Sequence, residues 1–441
     1  AQNWDDHDRS HRTMARDIGW NYLQSTLPNS IILDYGDNDT FPLWNNQEVY
    51  GVRTDVRIVN TSYLGGEWYI DEMKTKANEA APVPFSLPKH KYTFTNDQIL
   101  VDNRVESADI RSVIDFVRSD DPRSKIRLSD GTEMDYIPTR RIALPVNKEN
   151  AIASGIVAEK DRDKMVDTVY LNLRGNTLDK SQLMILDMLA NFDWKRPIYL
   201  TQVYILQDLG LMDYLQFDGY AYRFVPILTP VQSPYEIGRI DADYASHLLK
   251  EVFRYGNLND PRVYSDYFIQ YNLSASHARD AFARVAKELL REDRVEEAVE
   301  LLDLGLEKLP TSQIRFTDAN TYPFLEAYYA AGAMGDAEAS EKGDALLREY
   351  TRTLIEYIEY YLRFEGAQGD MVSDLIDEKL DQLGDVYYLA SYAGRRDVVA
   401  ELNDYYRSLG VSEENLINVG DKPQPTDSSL IAPIEADSVA Q

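Results

Sequence analysis

Residues 30–60 read SIILDYGDNDTFPLWNNQEVYGVRTDVRIVN, and their rhythm decides the fold of the first half of the chain. Ser30 to Tyr35 is a short apolar run of the kind that makes a strand buried on both faces. Gly36-Asp37-Asn38-Asp39-Thr40 is turn chemistry. A helix is expected from Phe41 to Tyr50, because Asp39 or Thr40 can accept a bond from a free first-turn amide and Pro42 is tolerated in that turn. Val56 to Asn60 reads as the next strand. Strand, helix and strand in about 30 residues form a βαβ unit, which pairs its strands in parallel.

The same pattern recurs downstream. Thr168 to Leu173 is a strand with alternating apolar positions, Leu178 to Asn191 an amphipathic helix, and Ile198 to Thr201 a strand opened by Pro197. Between the two units lies an irregular insert whose clearest element is a hairpin, Lys125 to Ser129 and Thr132 to Ile137, turned by Asp130-Gly131. Arg140 to Val146 supplies a further strand, and upstream a helix is expected from Thr13 to Ser25, ended by Pro28-Asn29. Leu209 to Pro234, apolar and aromatic, reads as the connection between halves.

From about Asp241 the hydrophobic period changes from two to 3.6, and helices are expected to Leu409. Counting back from Pro310 with the tetratricopeptide pattern puts Ala286, Leu289, Ala298, Leu302 and Gly305 at the positions that pack two antiparallel helices, with the turn at Asp293-Arg294. A second hairpin, Tyr322–Ala333 and Glu338–Tyr350, has Ala327, Ala330, Ala339 and Gly343 at its small positions. A third, Leu380–Ala393 and Asp397–Leu409, is degenerate, and a plain helical bundle is the competing reading. The expected fold class is thus α/β over 1–235, Rossmann-like and mostly parallel with a β-hairpin insert. An all-α, tetratricopeptide-like repeat domain follows over 240–410, and a proline-rich disordered tail over 418–441.

Composition narrows the partners. The chain carries 74 acids against 46 lysines and arginines, a net charge of −28, which repels phosphate backbones and makes nucleic-acid binding untenable. There is no cysteine, so disulfides, thiolate metal sites and cysteine nucleophiles are excluded. No stretch approaches the roughly 18 apolar residues of a membrane span. With Ala1 in first place, the chain reads as a piece of a larger protein whose targeting or membrane-spanning part lies upstream.

Chemistry-bearing residues are few. If the four strands of the two units are parallel, their carboxyl ends share one edge, and that edge collects Asp37, Asn38, Asp39, Asn60, Arg174, Asn176 and Gln202. These side chains suit sugar hydroxyls or a cation. Asp37 to Thr40 alternatively serve as a turn plus a helix cap. Asp5, Asp6, His7 and Asp8 are weak metal candidates, since adjacent side chains diverge and these acids can pair with Arg9, Arg12 and Arg16 instead. His90, His247 and His277 stand isolated, no nucleophile has a legible base and orienter, and no cofactor is expected. The recurrent tyrosines of the helical half, Tyr328-Tyr329, Tyr357, Tyr360-Tyr361 and Tyr387-Tyr388, read as helix packing or as a stacking surface for sugars or extended peptides.

Four stretches carry a family resemblance: NWDDHDRS at 3–10, GDNDTFPLW at 36–44 with EVYGVRTDVRIVN at 48–60, LMILDMLANFDWKRPIYLT at 183–201, and GLMDYLQFDGYAYRFVPI at 210–227. Together they resemble the soluble C-terminal region of the domain-of-unknown-function 2723 (DUF2723) family of bacterial membrane proteins. Members of that family resemble protein O-mannosyltransferases that use lipid-linked sugars. The resemblance implies a place on the periplasmic face of the inner membrane. It implies a non-catalytic accessory or binding role beside an upstream membrane domain, with an acceptor protein or peptide, or a glycan, as partner. The family's catalytic acid belongs to the membrane half, and no residue here corresponds to it. The alternatives are an independent carbohydrate-active α/β enzyme with its site at the strand carboxyl ends, and a purely structural cap on the membrane domain.

Overall fold

The structure, a computed structural model, describes residues 8–411 apart from 94–96, 128, 130, 232–235, 267, 270–274 and 317. It divides into two compact units, an α/β unit over Arg9–Asn257 and a helical unit from Leu258 onward. The tail expected over 418–441 and the metal candidates Asp5, Asp6 and His7 lie outside the described residues.

The α/β unit begins with α1 (Met14–Ser25), β1 (Ile31–Asp34), α2 (Asp37–Glu48), β2 (Arg57–Asn60) and α3 (Glu67–Met73). The insert follows: β3 (Gln98–Val101), β4 (Ala108–Asp109), α4 (Ile110–Arg118), β5 (Lys125–Arg127), β6 (Glu133–Ile137), β7 (Arg141–Pro145) and α5 (Lys148–Ala153). Then come β8 (Thr168–Asn172), β9 (Thr177–Asp179), α6 (Lys180–Ala190), β10 (Ile198–Leu200), β11 (Leu215–Asp218), β12 (Ala221–Phe224), β13 (Arg239–Ile240) and α7 (Ala242–His247).

The main sheet has the order β13-β11-β12-β10-β1-β2. β1 lies parallel to β2, as the first βαβ reading requires, and also parallel to β10, while β12 runs antiparallel to β10 and to β11. β1 is buried along its whole length, which accounts for its unbroken apolar run. The expected hairpin is present, with Lys125 opposite Asp135 and Arg127 opposite Glu133.

The strand Thr168–Leu173 departs from expectation. It does not join the main sheet but pairs antiparallel with β7 in a separate three-stranded sheet, β4-β7-β8. Its own pattern explains this: Val169 and Leu171 are buried while Thr168, Tyr170 and Asn172 are not, the alternation of a sheet with one wet face. The stretch Leu209–Pro234 is likewise more than a connection, because β11 and β12 form a hairpin within the main sheet.

The α/β unit runs on past the 235–240 boundary that periodicity suggests. β13 extends the main sheet beside β11. Residues 252–256 are fastened to α1: Asn21 Nδ2 donates to Arg254 O and Arg254 N to Asn21 Oδ1, both at 2.8 Å, and Gly256 N donates to Asp17 Oδ2 at 3.1 Å. Such backbone-to-side-chain ties leave no trace in hydrophobic rhythm.

The core of this unit fills the space between the main sheet, the helix α6 and the insert. Leu183, Leu186 and Leu189 of α6 are buried, as the amphipathic pattern predicts. Trp194 stacks on Phe224 at 5.3 Å and donates from its ring nitrogen to Pro145 O at 2.8 Å, so its one polar atom is satisfied in the interior. α1 and α2 cross at Gly19, where an added Cβ would stand 2.2 Å from Pro42 O. Asn46 Nδ2 bridges the crossing, donating to Arg16 O at 2.8 Å and to Pro42 O at 2.9 Å.

The helical unit contains α8 (Ala275–Arg291), α9 (Val295–Lys308), α10 (Asp318–Ala333), α11 (Ala337–Tyr361), α12 (Ala367–Tyr392) and α13 (Arg396–Ser408). Each helix packs on the next, and α8 also packs on α10. The α8–α9 turn falls at Asp293, which takes the left-handed φ of 62°. Ala286, Leu289, Ala298 and Leu302 are all buried, and a Cβ on Gly305 would meet Phe282 Cγ at 2.8 Å and Phe324 Cζ at 2.9 Å. Ala327, Ala330 and Ala339 are buried in the second hairpin, and a Cβ on Gly343 would meet Tyr329 Cε1 at 3.2 Å. Tyr328 and Tyr329 pack in the interior and donate their hydroxyls to Asp303 and Asp344 at 2.9 Å, as the packing reading expects. α11 and α12 outrun that reading, with 25 and 26 residues against 14 and 16 for the two helices before them.

Candidate functional site

The chain leaves β1 at Asp34 and turns at Gly36, whose φ of 85° lies where a Cβ is strained. α2 therefore starts at Asp37, four residues earlier than expected, with no side chain capping it. This overturns the capping role for Asp39 and Thr40. Within a helix that already includes them, both side chains turn inward, over the carboxyl ends of β2, β1 and β10. Asp37 and Asn38 remain exposed on its first turn.

What gathers at that edge is a hydrogen-bonded cluster. Thr40 Oγ1 lies 2.9 Å from Asp34 Oδ1 and accepts from Asn60 Nδ2 at 2.7 Å. Asp39 Oδ2 accepts from Thr201 Oγ1 at 2.7 Å and from Gln202 Nε2 at 3.2 Å. Asn60 Oδ1 accepts from Tyr63 N at 3.1 Å, and Thr61 Oγ1 donates to Asp34 O at 2.7 Å. Asp34 is fully buried, and its Oδ2 has no hydrogen-bond partner. Burial, reinforced by the charge of Asp39, holds the Asp34 carboxyl well above the usual carboxylate range, against the pull of the Thr40 hydroxyl. Burial first and then the neighbouring acids raise the Tyr22 phenol. At this edge stand a carboxyl that retains its proton into a higher pH range and a second one held by hydroxyl and amide donors.

Around the cluster runs a ledge of aromatic rings. Tyr35 meets Tyr204 edge-on at 5.3 Å. Phe41, Trp44, Tyr63 and Trp68 follow one another at centroid spacings of 6.0, 6.3 and 6.2 Å. Phe41 is 53% and Trp68 61% exposed, and Tyr35 and Tyr204 also face solvent. Large apolar side chains placed together in water mark a contact surface rather than a core. The Tyr204 phenol, pushed up to about 12 by burial and by Asp39, stays neutral at physiological pH.

Of the seven residues expected at one edge, five are found there: Asp39, Asn60 and Gln202 in the cluster, Asp37 and Asn38 beside it. Arg174 and Asn176 are elsewhere, on the exposed turn between β8 and β9. There Arg174 N donates to Asp208 O at 2.8 Å, and Asn176 Oδ1 accepts from Arg140 Nη2 at 2.6 Å. They are lost to the site because β8 belongs to another sheet. The reading by residue type missed Asp34, Thr40, Thr201 and the ring ledge. The available signal was an acid closing an apolar strand, which must be paid for by a buried partner.

Other chemistry is muted. Among the described residues, no three of His, Cys, Asp and Glu are placed to hold a metal ion. His90 Nε2 sits 3.2 Å from Asp120 on the surface, and the His277 side chain lies outside the described residues. A cleft of about 530 Å³ opens at the N-terminal ends of α4 and α5, away from the cluster. Its charges are already engaged: Lys148 with Asp167 at 2.7 Å, Asp193 with Lys195 at 2.9 Å, and Asp109 as the cap of α4. Among the described residues no helix is long and apolar enough to cross a membrane.

These features define a two-unit protein: a mixed-sheet α/β unit with an aromatic, strand-edge contact surface, and an all-helical unit. The model of the TMEM260-associated domain 2 family matches residues 15–244, more than half of the chain, and the chain belongs to that family. No curated protein and no solved structure gives a significant match.

Proposed function

We propose that the chain is a non-catalytic accessory region of a membrane protein of the DUF2723, protein O-mannosyltransferase-like kind, working on the periplasmic face of the membrane. The α/β unit seats its aromatic ledge against the membrane-bound part of the same protein. The helical unit, a tetratricopeptide-like array, recruits the acceptor protein or peptide. The observation that carries this reading is the exposed rings at the strand carboxyl ends, Tyr35 with Tyr204, and Phe41 and Trp68 at the two ends of the chain of rings through Trp44 and Tyr63. Tyr and Trp pair an apolar body with a polar tip and suit a boundary between a greasy partner and water. The cluster beneath supports a binding rather than a reacting surface, since its hydroxyls are spent on neighbouring carboxyls and no histidine stands among them.

The test uses the full-length protein in membranes, with a photo-crosslinking amino acid at Trp68 or Phe41. Crosslinks to membrane-spanning segments of the same polypeptide are expected. Equal yields from Trp68 and from a position on the β5–β6 hairpin such as Glu133 would reject the reading. A carbohydrate-active edge is the second reading, favoured by the buried, unpartnered Asp34 Oδ2. Saturable quenching of Trp44 and Trp68 fluorescence by mannose oligosaccharides, abolished in Asp34→Asn, would establish it in place of the first.

A further inference from the structure

The outer part of the α11–α12 hairpin is built unlike the rest of the helical unit. Buried residues on α11 end at Ile358, and those on α12 begin at Gln382. Between them, over 359–381, no residue is buried. Among the described residues, the two helices therefore extend as an arm without a third layer. A solvated arm should show polar residues outward, yet here Tyr360 is 52%, Leu362 50%, Met371 81% and Leu375 39% exposed. Met371 and Leu375 are one turn apart on one face of α12. Tyr360 packs edge-on against Phe364 at 5.3 Å, so the outer end of the hairpin carries a ring pair as well as aliphatic side chains. The same stretch holds seven acids against Arg363 and Lys379, and Lys379 is already engaged with Glu378 at 2.8 Å.

We propose that this arm docks a basic amphipathic helix of a partner protein. Apolar anchors flanked by carboxylates call for leucine-like side chains on one face and lysine or arginine beside them. Charge excludes two other occupants. A second copy would bring the same acidic arm against itself. The chain's own residues 412–441 carry six acids and one lysine and would be repelled as well. The proposal deepens the reading that the helical unit recruits a partner protein, and it is independent of the ring surface of the α/β unit.

The experiment measures fluorescence anisotropy of a labelled peptide of about 18 residues, leucine on one helical face and lysine on the other. It is titrated with the full chain, with a scrambled peptide of equal charge as control. The test variant is Met371→Glu with Leu375→Glu. Both side chains are exposed, so the fold should survive, which circular dichroism checks. Each substitution adds negative charge, so a purely Coulombic association would tighten. The expected result is the reverse, a loss of about tenfold or more in affinity with the scrambled peptide weak throughout. Unchanged or tighter binding by the variant, or equal binding of the scrambled peptide, would overturn the proposal. So would sedimentation showing a wild-type dimer that the variant loses, or lipid vesicles that bind wild type and not the variant.

Discussion

Replacing Gly19 by alanine should destabilise the α/β unit although it improves a helix. Alanine is favoured over glycine within a helix by about 1 kcal/mol. Against this, the new methyl would stand 2.2 Å from Pro42 O, 2.5 Å from Pro42 C and 2.6 Å from Asn46 Nδ2. A carbon–oxygen contact needs about 3.3 Å, so α1 and α2 must separate by about 1 Å. The obstacle is backbone, which cannot swing aside as a side chain would. Overpacking of this kind costs about 1–3 kcal/mol, and the two bonds from Asn46 that bridge the crossing are worth about 1 kcal/mol each if stretched. The net expectation is a loss of about 2–4 kcal/mol. Urea unfolding followed by tryptophan fluorescence is the assay, since Trp20, Trp44, Trp68 and Trp194 all lie in this unit. At a slope near 3 kcal/mol/M, the midpoint falls by about 1 M. Gly65→Ala is the control: a Cβ there meets nothing within 4 Å and φ is not positive, so it should be neutral. A Gly19→Ala midpoint equal to that of Gly65→Ala would refute the close crossing, and with it the placement of Asp39 and Thr40 over the strand ends.

Asp34→Asn should stabilise the protein increasingly as pH rises. The folded carboxyl keeps its proton where the unfolded chain has lost it, so wild-type stability falls from the usual carboxylate range up to the raised folded value, and asparagine removes that slope. Thermal melts of both proteins across acid to alkaline pH check this, and parallel curves would contradict it. Arg223→Met should cost about 3–5 kcal/mol, because it strands Asp218, fully buried and 2.9 Å from the guanidinium. Adding Asp218→Asn should return part of the loss in a double-mutant cycle, and strict additivity would argue against the pair.

Much of this architecture was legible in local pattern. The apolar run at 31–34 with glycine behind it marks a buried strand and a turn, and both are present. The small residues at 286, 298, 305, 327, 330 and 339 mark close-packed helices, and each sits in a tight contact. The first and second halves of the site differ in this respect. Asp37 to Asp39, Asn60 and Gln202 follow strands whose burial is written in their residues. Arg174 and Asn176 follow β8, whose alternating pattern marks a strand with one wet face but does not name β7 as its partner.

The sequence by itself determined that a sheet-building half precedes a helical one, which helices pack through small residues, and that no cysteine is there to make a disulfide or hold a metal as thiolate. Those follow from period, side-chain size and residue type, which are properties of neighbouring residues. Tertiary structure alone decided that Asp34 and Thr40 meet and that Asp39 faces Thr201, 162 positions away. It alone decided that the rings of Phe41, Trp44, Tyr63 and Trp68 follow one another and that no residue of 359–381 is buried. Burial of an acid, or exposure of a ring, depends on what the rest of the chain brings across the gap, and the energy that selects it is long-range.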